Sequence, residues 1–419
     1  MHDGVVIAGA GQAGFQVAAS LRLEGFDGSI ILIGDEPGLP YQRPPLSKGF
    51  MAGKQAIEAT ALRPAPFYEK QRIELLSGDK VIEIDRAGRS VSLASGRRIR
   101  YGTLVLAVGA RNRCLALKGV TPGIGAKPGK VAKVDGICYL RTAAEAVEIK
   151  DRLAEAHDVV VIGGGFIGLE LAAAASSLGK SVHVLEAQAR LMARVVSPIL
   201  SDFYRDLHTG HGVKISLGVV PLEIAGREGK VSEVVLSDGS AYPADLVLIG
   251  VGVVPNVELA SEAGLAVANG IVVDQQLRTE DENIYAIGDC ADHPNPYAAA
   301  RVRIESVQNA VDQAKCIAAA IVGHGQKYQA VPWFWTDQYD INLQMVGLSA
   351  GYDHIAIRGE PESRKFSVFY FKQGRLVAID SVNRPGDHII GRKLITNGTP
   401  LTPEQAADSS VDLKALALL

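Results

Sequence analysis

Apolar positions along this chain follow two patterns, which change over near residue 330. Before that point, short unbroken runs of β-branched residues alternate with stretches of helical period. Val5-Val6-Ile7 and Val159-Val160-Val161-Ile162 read as strands buried on both faces, and Ala18 to Leu23 and Leu169 to Leu178 read as the helices that follow them. In each unit another strand comes next, Ser29 to Ile33 and Ser181 to Leu185. From Tyr328 onward the period falls to two. Trp333-Phe334-Trp335, Ile341 to Gly347, Ser367 to Phe371 and Leu376 to Asp380 alternate as an antiparallel sheet does. The amphipathic stretch Pro403 to Leu419 predicts a closing helix packed on that sheet, and it lacks the basic face of a membrane-surface helix.

Between strand and helix, both early units carry a glycine-rich turn, Gly9-Ala10-Gly11-Gln12-Ala13-Gly14 and Gly163-Gly164-Gly165-Phe166-Ile167-Gly168. A single G-x-G-x-x-G is weak evidence, but both copies stand where the dinucleotide fingerprint requires, after a strand and opening a helix. The first glycine allows the tight turn, the second lets backbone approach a pyrophosphate, and the third lets helix pack on strand. The chain therefore reads as holding two dinucleotides. In the second unit the following strand ends in Glu186, whose carboxylate suits two ribose hydroxyls and repels a 2′-phosphate, which favours NADH over NADPH. Arg190 and Arg194 lie just beyond it as possible partners for a phosphate. In the first unit the strand ends at Gly34, and the ribose acid is Asp35 or Glu36, with Asp35 favoured.

Composition narrows the class. With 419 residues and 47% hydrophobic content the chain supports two to three domains, and its 45 glycines suit many short connections. Cys114, Cys138, Cys290 and Cys316 are scattered with no C-x-x-C spacing, so no disulfide framework, zinc site or iron-sulfur site is indicated. A net charge of −3 argues against nucleic acid as a partner. No run of about 18 apolar residues offers a membrane span, and the first strand begins almost at once. The expectation is a cytoplasmic protein, a monomer or weak dimer.

The segment Thr279 to Cys290 is read as a strand ending in Gly288-Asp289. It resembles the two-dinucleotide flavoproteins, in which such an aspartate binds the ribityl and phosphate part of FAD; Thr103 to Ala110 and Leu246 to Asn256 are similar to that superfamily's strand-to-crossover segments. Pro40-Tyr41-Gln42-Arg43-Pro44-Pro45-Leu46-Ser47-Lys48, Tyr139 to Thr142, Arg303 to Ala310 and Trp333 to Trp335 resemble the NADH-dependent ferredoxin reductases that serve cytochrome P450 and aromatic-ring oxygenases. The resemblance covers nearly the whole chain. It implies an α/β fold with two Rossmann-like dinucleotide-binding domains of glutathione-reductase type and a C-terminal α+β domain with an antiparallel sheet. FAD would take the first fingerprint, in a domain built from residues 1–117 and 249–329. NADH would take the second, in an inserted domain of residues 118–248, with the stretch Gly119 to Lys133 as the first crossover and residues 330–419 as an interface domain.

Carried over by position, the resemblance implies that Gly9, Gly11, Ala13, Gly14, Asp35, Glu36, Arg43, Lys48, Val81, Arg141, Asp289 and Val307 line the FAD site. Gly163, Gly165, Ile167, Gly168, Glu186 and Gly252 line the NADH site. Alone, Lys48 reads as a solvated loop cation and Glu170 as a carboxylate answering a helix dipole. In the family context the two read as a pair that fixes the nicotinamide and sets positive charge beside the flavin. Trp335 reads either as an aromatic near the flavin edge or as a core anchor of the last sheet.

No cysteine precedes Cys114, so the flavin has no thiol pair of the disulfide-reductase kind to reduce. The implied reaction takes hydride from NADH and gives single electrons to a separate 2Fe-2S ferredoxin, docked transiently by charge, with Lys315, Arg392 and Lys393 as candidate docking cations. The run Arg97-Arg98-Ile99-Arg100 reads instead as a solvated strand edge. A rubredoxin reductase, a membrane NADH:quinone reductase and an apoptosis-inducing-factor-like NADH sensor share the same plan.

Overall fold

The computed structural model describes residues 4–120 and 134–417, so most of the expected crossover, residues 121–133, lies outside the described residues. Val5–Ala8 is wholly buried and sits in the middle of a five-stranded parallel sheet, ordered Ile284–Ala286, Thr103–Leu106, Val5–Ala8, Ile30–Gly34 and Ile73–Ser77. The helix Gln12–Leu23 follows it and packs on the long helix Val307–Ile321. A three-stranded antiparallel meander, Val81–Asp85, Ser90–Leu93 and Arg98–Arg100, is inserted before Thr103–Leu106. Arg98–Arg100 forms its edge, with both arginines exposed, as charge on a strand edge should be.

The same plan recurs in a second parallel sheet, ordered Lys214–Leu217, Ser181–Glu186, Asp158–Ile162, Leu246–Ile249 and Ile137–Tyr139. Its inserted meander is Pro221–Arg227, Lys230–Leu236 and Ala241–Pro243. Each fingerprint strand therefore stands between the strand that follows it and a later one. This is the topological switch point, where ligands bind in open α/β sheets. The chain crosses between the units where Ala110–Asn112 pairs antiparallel with Val253–Pro255.

The last sheet is antiparallel throughout, ordered Trp333–Gln338, Ile341–Gly347, Arg375–Val382, Lys365–Lys372 and His354–Glu360. Phe366 to Phe371 is an unbroken buried run, because the helix Pro385–Asn397 and the chain end cover one face while the second unit covers the other. Each large side chain so buried contributes about 2 kcal/mol.

Three sequence expectations are corrected here. The closing segment is two short helices, Pro403–Ala407 and Leu413–Leu416, rather than one. Between them Asp408 accepts from the N–H and hydroxyl of Ser410, and the buried Arg358 guanidinium donates to the carbonyl oxygens of Ala406, Asp408, Ser409 and Val411. The guanidinium thus satisfies carbonyl oxygens that the break between the two helices leaves short of backbone partners. The stretch Thr279 to Cys290 is strand only at Ile284–Ala286, with Asn283 held in a turn by Asp281 and a 3-10 turn at Gly288–Cys290. The helices after the fingerprints begin at Gln12 and Phe166, earlier than the apolar period alone suggests, since the third glycine of each motif lies inside the helix.

Candidate active site between two glycine-rich cradles

The two fingerprints fold alike, residue for residue. Gly9 has φ of +111° and a Cβ there would stand 2.2 Å from the Ala107 carbonyl oxygen; Gly163 has φ of +110° and a Cβ there would stand 2.4 Å from that of Gly250. Only glycine fits either position. Gly14 and Gly168 lie so close to the preceding turn that a Cβ would fall 1.8 Å and 2.0 Å from the carbonyl oxygens of Gly9 and Gly163. By contrast, Cβ atoms on Gly11 and Gly165 would enter open space at the two helix N-termini. Neither N-terminus has a side-chain cap, so its N–H groups and the positive end of its dipole are left for an anion. Ile167, in the first turn of the second helix, is 40% exposed, and Gly252, on the return crossover, has φ of +98°.

The acids differ between the units as their strands do. Glu186 ends its strand, half-buried, and its carboxylate accepts from the N–H of Gly164 at 2.6 Å and of Gln188 at 2.7 Å. The register puts Gly34 at the matching place in the first unit, next to Ala10. Beyond it Asp35 is exposed and makes no side-chain bond among the described residues, whereas Glu36 pairs with Arg43 at 2.6 Å and accepts from Tyr41 at 2.5 Å. Arg190 donates to the carbonyl oxygens of Ala193 and Val196 and to Ser201. Arg194 is exposed and reaches toward Gly252.

Asp289 is brought to the first cradle by the Gly288–Cys290 turn. A Cβ on Gly288 would lie 3.2 Å from that of Ala13, and the Gly288 N–H donates to the buried Gln313 side chain at 2.7 Å. Asp289 pairs with Arg141 at 2.9 Å, and Arg43 donates to the Arg141 carbonyl oxygen at 2.5 Å. The Arg141 Nε atom is buried with no protein partner, an orphaned donor beside an open cradle. Val81 is buried at the head of its strand, and Val307 opens the helix Val307–Ile321 half-buried. Cys290 adjoins this site, but its Sγ lies on the carbonyl oxygens of Leu106 and Ile287, and burial pushes its thiol up to about 11. It has no thiolate character to offer.

Lys48 and Glu170 meet as an ion pair of 2.8 Å, 17% and 3% exposed at their side chains. Lys48 ends the short Pro44–Ser47 turn, whose prolines stiffen the loop, and Glu170 lies on the second fingerprint helix. Two further donors complete the carboxylate, Ser47 to Oε2 at 2.5 Å and Thr336 to Oε1 at 2.6 Å. A buried carboxylate needs this many partners. Neither Ser47 nor Thr336 was singled out in the sequence; the one available signal was a threonine at an inward position of an alternating strand.

Trp335 is half-buried, 5.7 Å from the Trp333 ring and tilted 41° to it. Phe334, on the opposite face, packs at 4.8 Å on Phe166 of the second fingerprint. Among the docking candidates, Arg392 lies over the Trp333 ring at 5.2 Å. Asp312, raised chiefly by burial, lies within the fields of both Arg392 and Lys315.

The open cradles at Gly11 and Gly165, together with the orphaned Arg141 donor, fit one diphosphate-bearing dinucleotide in each unit, as a protein that uses FAD and a nicotinamide dinucleotide requires. Among the described residues no helix is long and apolar enough to cross a membrane. Residues 3–314 match the pyridine nucleotide-disulphide oxidoreductase family and residues 333–417 the reductase C-terminal family. Rhodocoxin reductase of Rhodococcus erythropolis is 49% identical over 98% of this chain and 93% of its own. The solved ferredoxin reductase for the CYP199A2 system of Rhodopseudomonas palustris is 50% identical, with a TM-score of 0.94 over 99% of this chain and 100% of that one. Putidaredoxin reductase in its covalent complex with putidaredoxin is 43% identical, with a TM-score of 0.94 over 99% and 98%. Two matched glycine cradles, a third domain built on an antiparallel sheet and relatives that match from end to end lead to one conclusion: the chain belongs to the pyridine nucleotide-disulphide oxidoreductases, among their FAD-dependent ferredoxin reductases.

Proposed function

We propose that this protein oxidises NADH and delivers electrons one at a time to a 2Fe-2S ferredoxin, which in turn supplies a cytochrome P450 or aromatic-ring oxygenase. The observation that carries the reading is the buried Lys48–Glu170 pair, which ties the loop of the first unit to the fingerprint helix of the second. FAD, when bound, supplies acceptance of a hydride and release of single electrons. The protein's own task is then positioning. The N-termini of Gln12–Leu23 and Phe166–Ser177 hold diphosphates, and Asp35 takes the adenosine ribose of FAD. Asp289 and Arg141 hold the ribityl-phosphate region. Lys48 puts fixed positive charge at the junction of the two cradles, and Glu170 orients the nicotinamide.

Glu186 selects NADH, accepting from ribose hydroxyls and repelling a 2′-phosphate. Arg190 already spends three of its five N–H donors on protein oxygens, which ties its guanidinium to its own loop rather than to a phosphate. A one-electron acceptor suits a site whose adjoining cysteine is buried and protonated. Rhodocoxin reductase, the CYP199A2-system reductase and the putidaredoxin complex support ferredoxin as that acceptor. The half-exposed Trp333–Trp335 pair, with Arg392 over one ring and Lys315 sharing Asp312 with it, is the docking face this reading favours, whereas Lys393 lines a separate groove with Ile389 and Lys414; a cytoplasmic setting belongs to the same proposal.

The test is anaerobic mixing of the FAD-loaded protein with NADH and with NADPH, watching the flavin band, followed by addition of a 2Fe-2S ferredoxin. Rapid bleaching by NADH and reoxidation by ferredoxin are expected. A flavin that NADH reduces but no ferredoxin reoxidises would overturn ferredoxin as the acceptor and leave the rubredoxin, quinone and sensor readings.

A further inference from the structure

Behind the Lys48–Glu170 pair runs a line of polar side chains that the function just described does not use. Thr336 and Gln338 share the inward face of the strand Trp333–Gln338, and His208 comes from the helix Pro198–Gly210 of the second unit. Glu170, Thr336, Gln338 and His208 are 4%, 0%, 1% and 0% exposed. Four polar side chains in one buried line, drawn from two domains, need a reason, because each desolvated group is destabilising unless its bonds are made.

The direction of every bond is fixed from one end. A carboxylate accepts only, so the Thr336 hydroxyl donates to Glu170 Oε1 at 2.6 Å. The lone pair left on Thr336 Oγ1 accepts from Gln338 Nε2 at 3.3 Å, which turns Gln338 Oε1 toward His208 Nε2 at 2.8 Å as an acceptor. His208 therefore carries its proton on Nε2. Its Nδ1 accepts from the Tyr339 hydroxyl at 3.4 Å, and Tyr339 stacks on His211 at 3.7 Å nearer the surface. Burial holds His208 down to about 4, so the neutral imidazole this arrangement needs is the form present across the working range. All four donors point the same way, toward Glu170.

We propose that Thr336, Gln338 and His208 are positioning residues for hydride transfer, a one-way hydrogen-bond chain that holds Glu170 Oε1 on Lys48 and registers the C-terminal domain against the nicotinamide site. The inference rests on the reading that Lys48 and Glu170 stand where the two dinucleotides meet. Thr336 holds the carboxylate directly, and Gln338 and His208 hold Thr336 in the rotamer that does so. Without the chain, Oε1 keeps only Lys48, and Ser47 on Oε2 is left as the one hydroxyl that orients the carboxylate.

The experiment uses the FAD-loaded enzyme and compares Thr336→Val, Thr336→Ser, Gln338→Leu and the double variant T336V/Q338L. It reads the limiting rate of anaerobic flavin reduction by NADH, the equilibrium dissociation constant for NAD+, and the melting temperature with FAD content. Thr336→Val is expected to lower the limiting rate about tenfold and weaken NAD+ binding, and Thr336→Ser to restore both to within about twofold. Gln338→Leu, which touches neither cofactor nor Glu170, should lower the rate in the same direction by a smaller factor. In the double variant the loss should match that of Thr336→Val alone, since a chain cut at one link is not cut further at the next. Losses that multiply, or a Thr336→Val enzyme with the parent's rate and NAD+ affinity, would overturn the proposal. If Thr336→Val fails to fold, Gln338→Leu against Thr336→Ser decides by the same rates. A parent enzyme that NADH does not reduce overturns the functional reading itself, a different result from a fast parent with unchanged variants.

Discussion

Glu186 accepts a hydrogen bond of 2.6 Å from the backbone N–H of Gly164, which pins the tip of one strand to the middle of the second glycine-rich turn. The carboxylate is thus fixed beside the cradle before any ligand arrives, and on the function proposed its charge meets the adenosine ribose of NADH. Replacing Glu186 by Gln keeps the shape and removes the charge. The expected result is a preference for NADH over NADPH, measured as the ratio of kcat/KM values, reduced about tenfold or more, with most of the change coming from improved use of NADPH. An unchanged ratio would place selection elsewhere, with the exposed Arg194 the next group to replace.

Stability should depend on pH through four buried groups acting in opposite senses. Burial raises Asp380 from 3.8 to about 7 while Tyr370 donates to it at 2.6 Å, and burial lowers His208, His293 and His388 from 6.5 to about 4. A raised folded value means that the Asp380 contribution is whole below its unfolded pKa and is lost as pH climbs through about 7. The lowered histidine values mean the reverse, a contribution whole above 6.5 and lost as pH falls through about 4. Between those limits the unfolded chain binds three protons that the native state sheds, and the native state keeps one, so two remain. Stability should therefore rise with pH in this window by at most about 3 kcal/mol per unit. Asp380→Asn isolates one of the opposing effects. Its melting temperature relative to the parent should improve by several degrees between about pH 5 and about pH 8, and an offset constant across that range would refute the assignment.

Electron delivery to ferredoxin should be sensitive to salt while flavin reduction by NADH is not. Lys315 and Arg392 both act on Asp312, and Arg392 lies over Trp333, so these cations gather beside the half-exposed aromatic pair. At about 0.5 M salt, where screening length falls to roughly 4 Å, the second-order rate of ferredoxin reduction should drop about tenfold or more from its low-salt value. The Arg392→Gln and Lys315→Gln variants should each flatten that dependence. A rate indifferent to ionic strength would sink electrostatic docking on any face.

How far these sites could be read from residues alone follows from how locally each is determined. The glycine turns were legible because a positive φ and a carbonyl oxygen within 2.4 Å admit one residue type, and such demands are written at single positions. The parallel strands were legible as β-branched runs. The edge strand His354–Glu360 was not, because its buried Arg358 breaks the apolar alternation and serves carbonyl oxygens some fifty residues away. Lys48 and Glu170 were named as a pair through resemblance, and the structure joins them at 2.8 Å. Nothing in spacing could join Thr336 to Glu170 or His208 to Gln338, since those contacts span 166 and 130 positions and exist only once the last sheet has docked.

The third glycine of each fingerprint offers a way to separate the two cradles. Gly14 and Gly168 occupy the same place in equivalent helices, and a Cβ on either meets a backbone carbonyl oxygen, at 1.8 Å and 2.0 Å. Backbone cannot yield as a side-chain tip can, so Gly→Ala must push its helix off its strand, a strain of about 1–3 kcal/mol. The consequence depends on which dinucleotide the displaced N-terminus would have held. Gly14→Ala should be isolated with little FAD and a lower melting temperature. Gly168→Ala should keep FAD at the parent's stoichiometry while its limiting rate of reduction by NADH, or its affinity for NADH, falls about tenfold or more. Absorbance of the purified proteins gives the first readout and stopped-flow reduction the second. Were Gly168→Ala the variant that lost flavin, the assignment of FAD to the first unit and NADH to the second would have to be reversed.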